Sequence, residues 1–364
     1  MYDTNFFMST FKLKRKIVSR EATIRDSEEI YQIFNQNLIS SPFVFNIETT
    51  NFCNMMCIMC QRTNELERPL MHMDMQTFKN IIEQLTPRTP DDYQRWQKFV
   101  REQLFDNSAP SENNFYYQVI SKSITLHGFG EPLLDPMLPG RVALMTQRQI
   151  PSYFSCNPNN IRLDFIKELF QAKIGYIKFA MDSLDDARAR EIRGRKADFT
   201  RAYELIKEVL ELKEAMRAGT VIVITMLDFI GANGPDSEPK RFLDLWQGKD
   251  VYAYVKSLDN KWLLKRKGEH EEAKGKDNSH YSKQYCEFPW TSITVLADGS
   301  VVPCTQDING LWTFGNVNEE PLANIWQSPK YQEFRRMHVM GNFSPDFMCH
   351  SKCDLNLACY FLES

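Results

Sequence analysis

An α/β fold, a partial (β/α)6 barrel followed by a small cysteine-rich domain with a β-hairpin, is what three features of this 364-residue chain predict. Short runs rich in β-branched and aromatic residues alternate with stretches whose apolar residues recur at helical spacing, and six strand candidates can be counted, which suits an incomplete barrel. The nine cysteines split into a front group, Cys53, Cys57 and Cys60, and a rear group, Cys286, Cys304, Cys349, Cys353 and Cys359, with Cys156 alone between them. In the rear segment, Asp298 and Gly299 between β-branched residues mark a hairpin turn.

Residues 1–42 read as a polar, partly ordered lead-in with a short helix around SEEIYQIFNQNL. The barrel, 43–256, opens on FVFNIETT, and its further strands are SITLHGF, PSYFSC, GYIKFAMDS, TVIVITML and DVYAYVKS. Between them, MDMQTFKNIIEQL, IRLDFIKELFQA and FTRAYELIKEVLELKEAMRA carry the helical pattern. Residues 87–121 interrupt the alternation with an amphipathic helix whose Tyr93, Trp96, Val100 and Leu104 share a face. A structural decoration or subunit contact is expected there, with a lid over the site as the alternative. Residues 257–284 are charged and lack a core pattern, so they read as a solvated linker before the cysteine-rich domain, 285–364.

With 44 basic and 47 acidic residues the net charge is −3, which makes nucleic acid an unexpected partner. No apolar run approaches the length of a membrane span, and no signal peptide opens the chain, so a cytoplasmic protein is expected. In a reducing compartment clustered cysteines point to metal or catalysis rather than to disulfides.

Three thiolates at Cys53, Cys57 and Cys60 offer no fourth partner nearby. Structural zinc and electron-transfer clusters close their shell with four protein ligands, whereas three leave one metal position open for chemistry. The spacing Cys-x3-Cys-x2-Cys directly after a first strand resembles that of the radical S-adenosylmethionine (SAM) enzymes. The resemblance implies a TIM-like partial barrel in which Cys53, Cys57 and Cys60 hold a [4Fe-4S] cluster whose fourth iron chelates SAM, with Met59 near the adenine. The alternative for the triplet is a zinc knuckle completed by a distant histidine.

Later strand ends extend the likeness. HGFGEPLLDP is similar to the family's Gly-Gly-Glu element with Phe129 interposed, which implies that Gly128, Gly130 and Glu131 receive the SAM amino group. FSCNPNN resembles another family segment, with Asn157 as a cofactor support and Cys156 as a small buried residue. FAMDSLDDARAREIRG is similar to a third, which makes Asp182 and Ser183 candidates for the SAM ribose or carboxylate and Arg193 for a carboxylate or a structural ion pair. All lie at carboxyl ends of strands, where barrel active sites lie.

The tail resembles the SPASM or shorter Twitch extension of the same enzymes, whose pieces here include Gly315 to Val317 and IWQSPKYQEFRR. Five cysteines imply one auxiliary [4Fe-4S] cluster, held by Cys286, Cys304, Cys349 and Cys353 with Cys359 competing for the last place. A zinc ribbon that includes His350 is the alternative, and a free Cys359 is a candidate hydrogen-atom donor. The function implied is a radical SAM oxidoreductase that dehydrogenates a small molecule such as a sugar or aminocyclitol alcohol and is reduced by a flavodoxin or ferredoxin. A peptide maturase or epimerase is the second reading, and a non-catalytic iron-sulfur or zinc protein the third.

Overall fold

The structure, a computed structural model, describes residues 1–18, 21–22, 26–103, 110–229, 234, 236–257, 286–341 and 349. Leu104, the linker 257–284 beyond its first residue, His350, Cys353 and Cys359 lie outside the described residues. In chain order the elements are α1 (Thr4–Val18), α2 (Ser27–Gln36), β1 (Phe43–Ile47), the single turn α3 (Arg62–Glu65), α4 (Met75–Ile82), α5 (Pro90–Gln103), α6 (Glu112–Ile120) and β2 (Ile124–Thr125). There follow α7 (Leu138–Gln147), β3 (Ser152–Cys156), α8 (Leu163–Gln171), β4 (Tyr176–Ala180), α9 (Asp186–Arg193), α10 (Phe199–Met216), β5 (Val221–Asp228), α11 (Glu238–Trp246) and β6 (Tyr252–Ser257). The tail adds α12 (Phe288–Thr291), β7 (Ser292–Val295), β8 (Ser300–Val302), β9 (Gly315–Asn316), α13 (Leu322–Gln327) and α14 (Pro329–Met340).

Strands β1 to β6 pair in sequence order, each parallel to the next. Helices cover the outer face, where Phe154, Ile177, Phe179, Ile222 and Ile224 join the main core. The alternate residues Tyr153, Tyr176, Val223 and Tyr254 face the concave side, as the period of two requires.

The C-terminal domain joins the barrel through a shared sheet. Its β7 pairs in parallel with β1, and β8 and β9 continue antiparallel, so one sheet of nine strands runs from β6 to β9. This covers the edge that β1 would otherwise expose. The predicted hairpin turn is present: Gly299 has φ +88° and its N–H donates to Leu296 O at 2.9 Å.

One expectation needs correction. The N-terminal lead-in is core rather than partly ordered and polar: α1 buries Phe6, Phe7, Phe11 and Ile17 against α12 and α5. Its apolar stripe was hidden because Lys14 occupies one of its positions, fully buried and paired with Glu287.

The insertion is structural, packed into the fold rather than laid on its surface. In α5, Trp96 and Val100 are buried and Tyr93 half-buried, and Trp96 packs on Phe7 with ring centroids 5.5 Å apart. Helix α6 fills the concave side of the sheet, where Phe115 meets Tyr153, Tyr252 and Tyr254 at centroid distances of 5.5, 5.9 and 5.9 Å. The insertion therefore forms the floor of the barrel.

Candidate active site and auxiliary cysteine site

The loop after β1 carries Cys53, Cys57 and Cys60, all half-exposed and none in a disulfide. Backbone hydrogen bonds from several elements hold it. Met56 N donates to Arg193 O (3.1 Å), Ile58 N to Ile192 O (2.9 Å) and Glu131 N to Phe52 O (2.7 Å). Asn54 and Asn160 exchange side-chain hydrogen bonds at 2.7 and 3.0 Å. The loop geometry thus belongs to the barrel rather than to the triplet alone.

Arg193, at the end of α9, donates from Nε to Asp182 Oδ2 at 2.7 Å and from Nη1 to Cys57 Sγ at 3.7 Å. The other oxygen of Asp182 accepts from Leu227 N at 3.0 Å, which fixes the carboxylate between β4 and β5. Ser183 donates to Glu238 Oε1 at 2.7 Å. Asp182 and Ser183 are therefore engaged within the protein, while Arg193 sets a guanidinium beside the triplet, where thiolate charge is favoured. Met59 is half-buried on the loop itself.

Glu131 is buried, and its two oxygens accept from Leu133 N (3.2 Å) and Asn157 N (2.9 Å). Burial pushes its carboxyl up to about 7 against the pull of those hydrogen bonds. It joins the ends of β2 and β3. The amide Oδ1 of Asn157 is taken by Asn159, whereas its Nδ2 is buried with no hydrogen-bond partner among the described residues. Cys156 is buried in the core, as expected of a small apolar residue.

The glycines act through close approach. A Cβ on Gly130 would lie 2.0 Å from Thr50 O, and one on Gly128 2.7 Å from Glu48 Cγ. Gly130→Ala is expected to shift the start of the cysteine loop and to lower stability by about 3 kcal/mol, the upper end for overpacking. Gly140→Ala, whose added Cβ meets nothing nearer than Met75 Cε at 3.6 Å, is the control and should be neutral or mildly stabilising. Denaturation midpoints and iron content of the two variants check this.

Glu48 was not singled out from the sequence. It is buried, accepts two hydrogen bonds from Arg68 (2.8 and 2.9 Å), and takes Ala297 N at 3.2 Å. It thereby ties β1 to the hairpin beneath the glycine element. A charged residue immediately after an apolar strand was the available signal.

Cys286 and Cys304 lie at the other end of β1. Cys286 precedes β7, which runs parallel to β1, and Cys304 follows the antiparallel β8. Strand β1 has five residues and spans about 17 Å. Cys286, Cys304 and Cys349 share one aromatic cluster with Tyr2, Phe7, Trp96 and Phe288. His338 Nε2 is 3.5 Å from Cys349 Sγ.

Among the described residues no three His, Cys, Asp or Glu side chains converge as ligands of a single metal ion. Thiolates of a cubane each hold a different iron and sit further apart. Three half-exposed thiols, a guanidinium beside one of them and the buried, unpartnered amide N–H of Asn157 at the end of β3 fit a [4Fe-4S] cluster with a polar ligand. Burial pushes Cys53 up to about 11 and raises Cys57 and Cys60, so loading a cluster must displace protons. No described helix is long and apolar enough to cross a membrane.

Residues 286–354 match the SPASM iron-sulfur cluster-binding domain family. A protein of Pyrococcus furiosus named tungsten-containing aldehyde ferredoxin oxidoreductase cofactor-modifying protein is 23% identical over 358 residues, covering 87% of this chain and 89% of the relative. The S-adenosyl-L-methionine-dependent 2-deoxy-scyllo-inosamine dehydrogenase of Niallia circulans is 31% identical over 64 residues, 18% of this chain and 26% of that protein. Among solved structures, Streptococcus suis SuiB with S-adenosylmethionine bound has the same fold, with TM-score 0.50 and 15% identity over 84% of this chain and 70% of SuiB. These matches place a C-terminal SPASM iron-sulfur cluster-binding domain in the chain, and with the cysteine loop at the barrel mouth they support its likeness to the radical SAM enzymes, which bind SAM and [4Fe-4S] clusters.

Proposed function

We propose that this protein is an oxidoreductase that binds SAM over the Cys53, Cys57 and Cys60 loop and removes a hydrogen atom from a small polar molecule held inside the barrel. The observation that carries this reading is the front cysteine loop at one end of β1 with Cys286 and Cys304 at the other. When bound at the front loop, a [4Fe-4S] cluster with SAM supplies one electron and a 5′-deoxyadenosyl radical, the oxidant for an unactivated C–H bond. The chain's own part is to orient and to exclude water. Gly128 and Gly130 keep the strand ends low enough for a ligand to approach, Asn157 offers its free amide N–H, and Arg193 steadies charge at Cys57.

Dehydrogenation of an alcohol fits best: the 5′-deoxyadenosyl radical would take the carbon-bound hydrogen, a general base or solvent would take the hydroxyl proton, an auxiliary cluster held by Cys286, Cys304, Cys349 and Cys353 would accept the second electron, and a flavodoxin or ferredoxin would supply the first. The likeness to a SAM-dependent aminocyclitol dehydrogenase supports this. The aromatic floor made by Phe115 limits the depth of the lumen and favours a compact substrate over a peptide.

The reading is tested by anaerobic reconstitution followed by SAM and dithionite. Equal amounts of 5′-deoxyadenosine and methionine are expected. A reconstituted protein that forms neither overturns it.

A further inference from the structure

Lys178 stands at the middle of β4, opposite Ser155 of β3 and Val223 of β5. It faces the concave side, with Nζ 5.8 Å from the Tyr153 ring centroid and 5.9 Å from that of Phe115. It is half-exposed, and among the described residues it makes no ion pair and no hydrogen bond. The charges around it are already compensated: Glu112 pairs with Lys256 and Asp182 with Arg193. Among the described residues no carboxylate pairs with Lys178.

His127, just beyond β2, meets the same tyrosine ring edge-on at 5.4 Å. Its Nδ1 accepts from Ser155 N at 3.1 Å, which puts the ring proton on Nε2 as a donor. We propose, resting on the reading above, that Lys178 and His127 form an anion-binding end of the substrate pocket, so that the molecule oxidised here carries a carboxylate or phosphate.

A cation partly desolvated beside two aromatic rings gains from a counter-charge, which an entering anion supplies. Burial pushes Lys178 down from its ordinary range and His127 down to about 3, so the imidazole remains a neutral donor while the ammonium gains from an anion. The pair lies between the aromatic floor and the ion pair of Asp182 with Arg193. An anion held there leaves the rest of a small molecule to extend towards the cysteine loop.

The test is calorimetric titration of the reconstituted, SAM-loaded protein with phosphate, acetate and gluconate, and with sorbitol as the uncharged counterpart of gluconate. Anions are expected to bind at least about tenfold more tightly than sorbitol. Lys178→Gln should weaken them by about tenfold or more, the range for a charge-assisted hydrogen bond, and Lys178→Arg should retain most of the affinity. His127→Phe should give a smaller loss and carries the test if Lys178→Gln does not fold. The proposal is overturned if none of the anions binds, if sorbitol binds as tightly as gluconate, or if Lys178→Gln leaves anion affinity unchanged. Cleavage of SAM by the unaltered protein is scored separately: anion binding without cleavage sinks the reaction, and cleavage without anion binding sinks the site.

Discussion

With Cys53, Cys57 and Cys60 all replaced by alanine, the reconstituted protein is expected to form no 5′-deoxyadenosine and yet to retain about four irons, against about eight in the parent. Folding should survive, because the loop is held by backbone N–H groups of Met56, Ile58 and Glu131 that alanine does not disturb. The rear group should keep its iron because it shares no residue with the front loop. It is assembled instead on α12, the hairpin and the aromatic cluster of α1 and α5. Iron analysis beside product assay separates the outcomes. If the variant holds no iron, the tail carries no cluster, and a reaction that needs an internal electron acceptor gives way to a redox-neutral one. If it still cleaves SAM, the front loop is not the cofactor site.

What could be read in advance, and what could not, follows the range of the interactions. The cysteine spacing, the strand pattern and the Asp298-Gly299 turn are local, and each was legible. The pairing of β7 with β1 joins residues far apart in sequence, and no local pattern announces it. Similarly, α6 reads as part of an irregular insertion because its aromatic residues Phe115, Tyr116 and Tyr117 are contiguous rather than periodic; they face two different surroundings, the barrel floor and the cluster under α1. At the site, residue types were legible but partners were not. Asp182 and Ser183 were candidate ligands, and the structure shows them bonded to Arg193, Leu227 and Glu238. Lys178 looked like an unremarkable strand lysine because only the register of β4 against its neighbours turns it inward.

The second large effect lies far from the cysteine loop. Lys14 and Glu287 are each 0% exposed and form an ion pair that joins α1 to the residue after Cys286. Lys14→Met leaves a buried carboxylate without its partner, and Glu287→Leu leaves a buried ammonium; each should destabilise by about 3–5 kcal/mol at neutral pH. The double variant should recover most of that loss, because two apolar side chains suit the surrounding Phe7 and Phe288. Opposite pH trends identify the mechanism. Burial raises Glu287, so in Lys14→Met the folded state binds more protons than the unfolded one, and stability falls as pH rises above the ordinary glutamate range. Burial lowers Lys14, so in Glu287→Leu the folded state sheds its proton first, and stability rises with pH towards the ordinary lysine range. Urea denaturation of both single variants and the double at several pH values tests the pair. Parallel trends in the single variants, or a double variant no more stable than either, would show that α1 is held by its phenylalanines alone. If the trends diverge as expected, the ion pair anchors Cys286, and each single variant should also lose iron from the rear site before the front one.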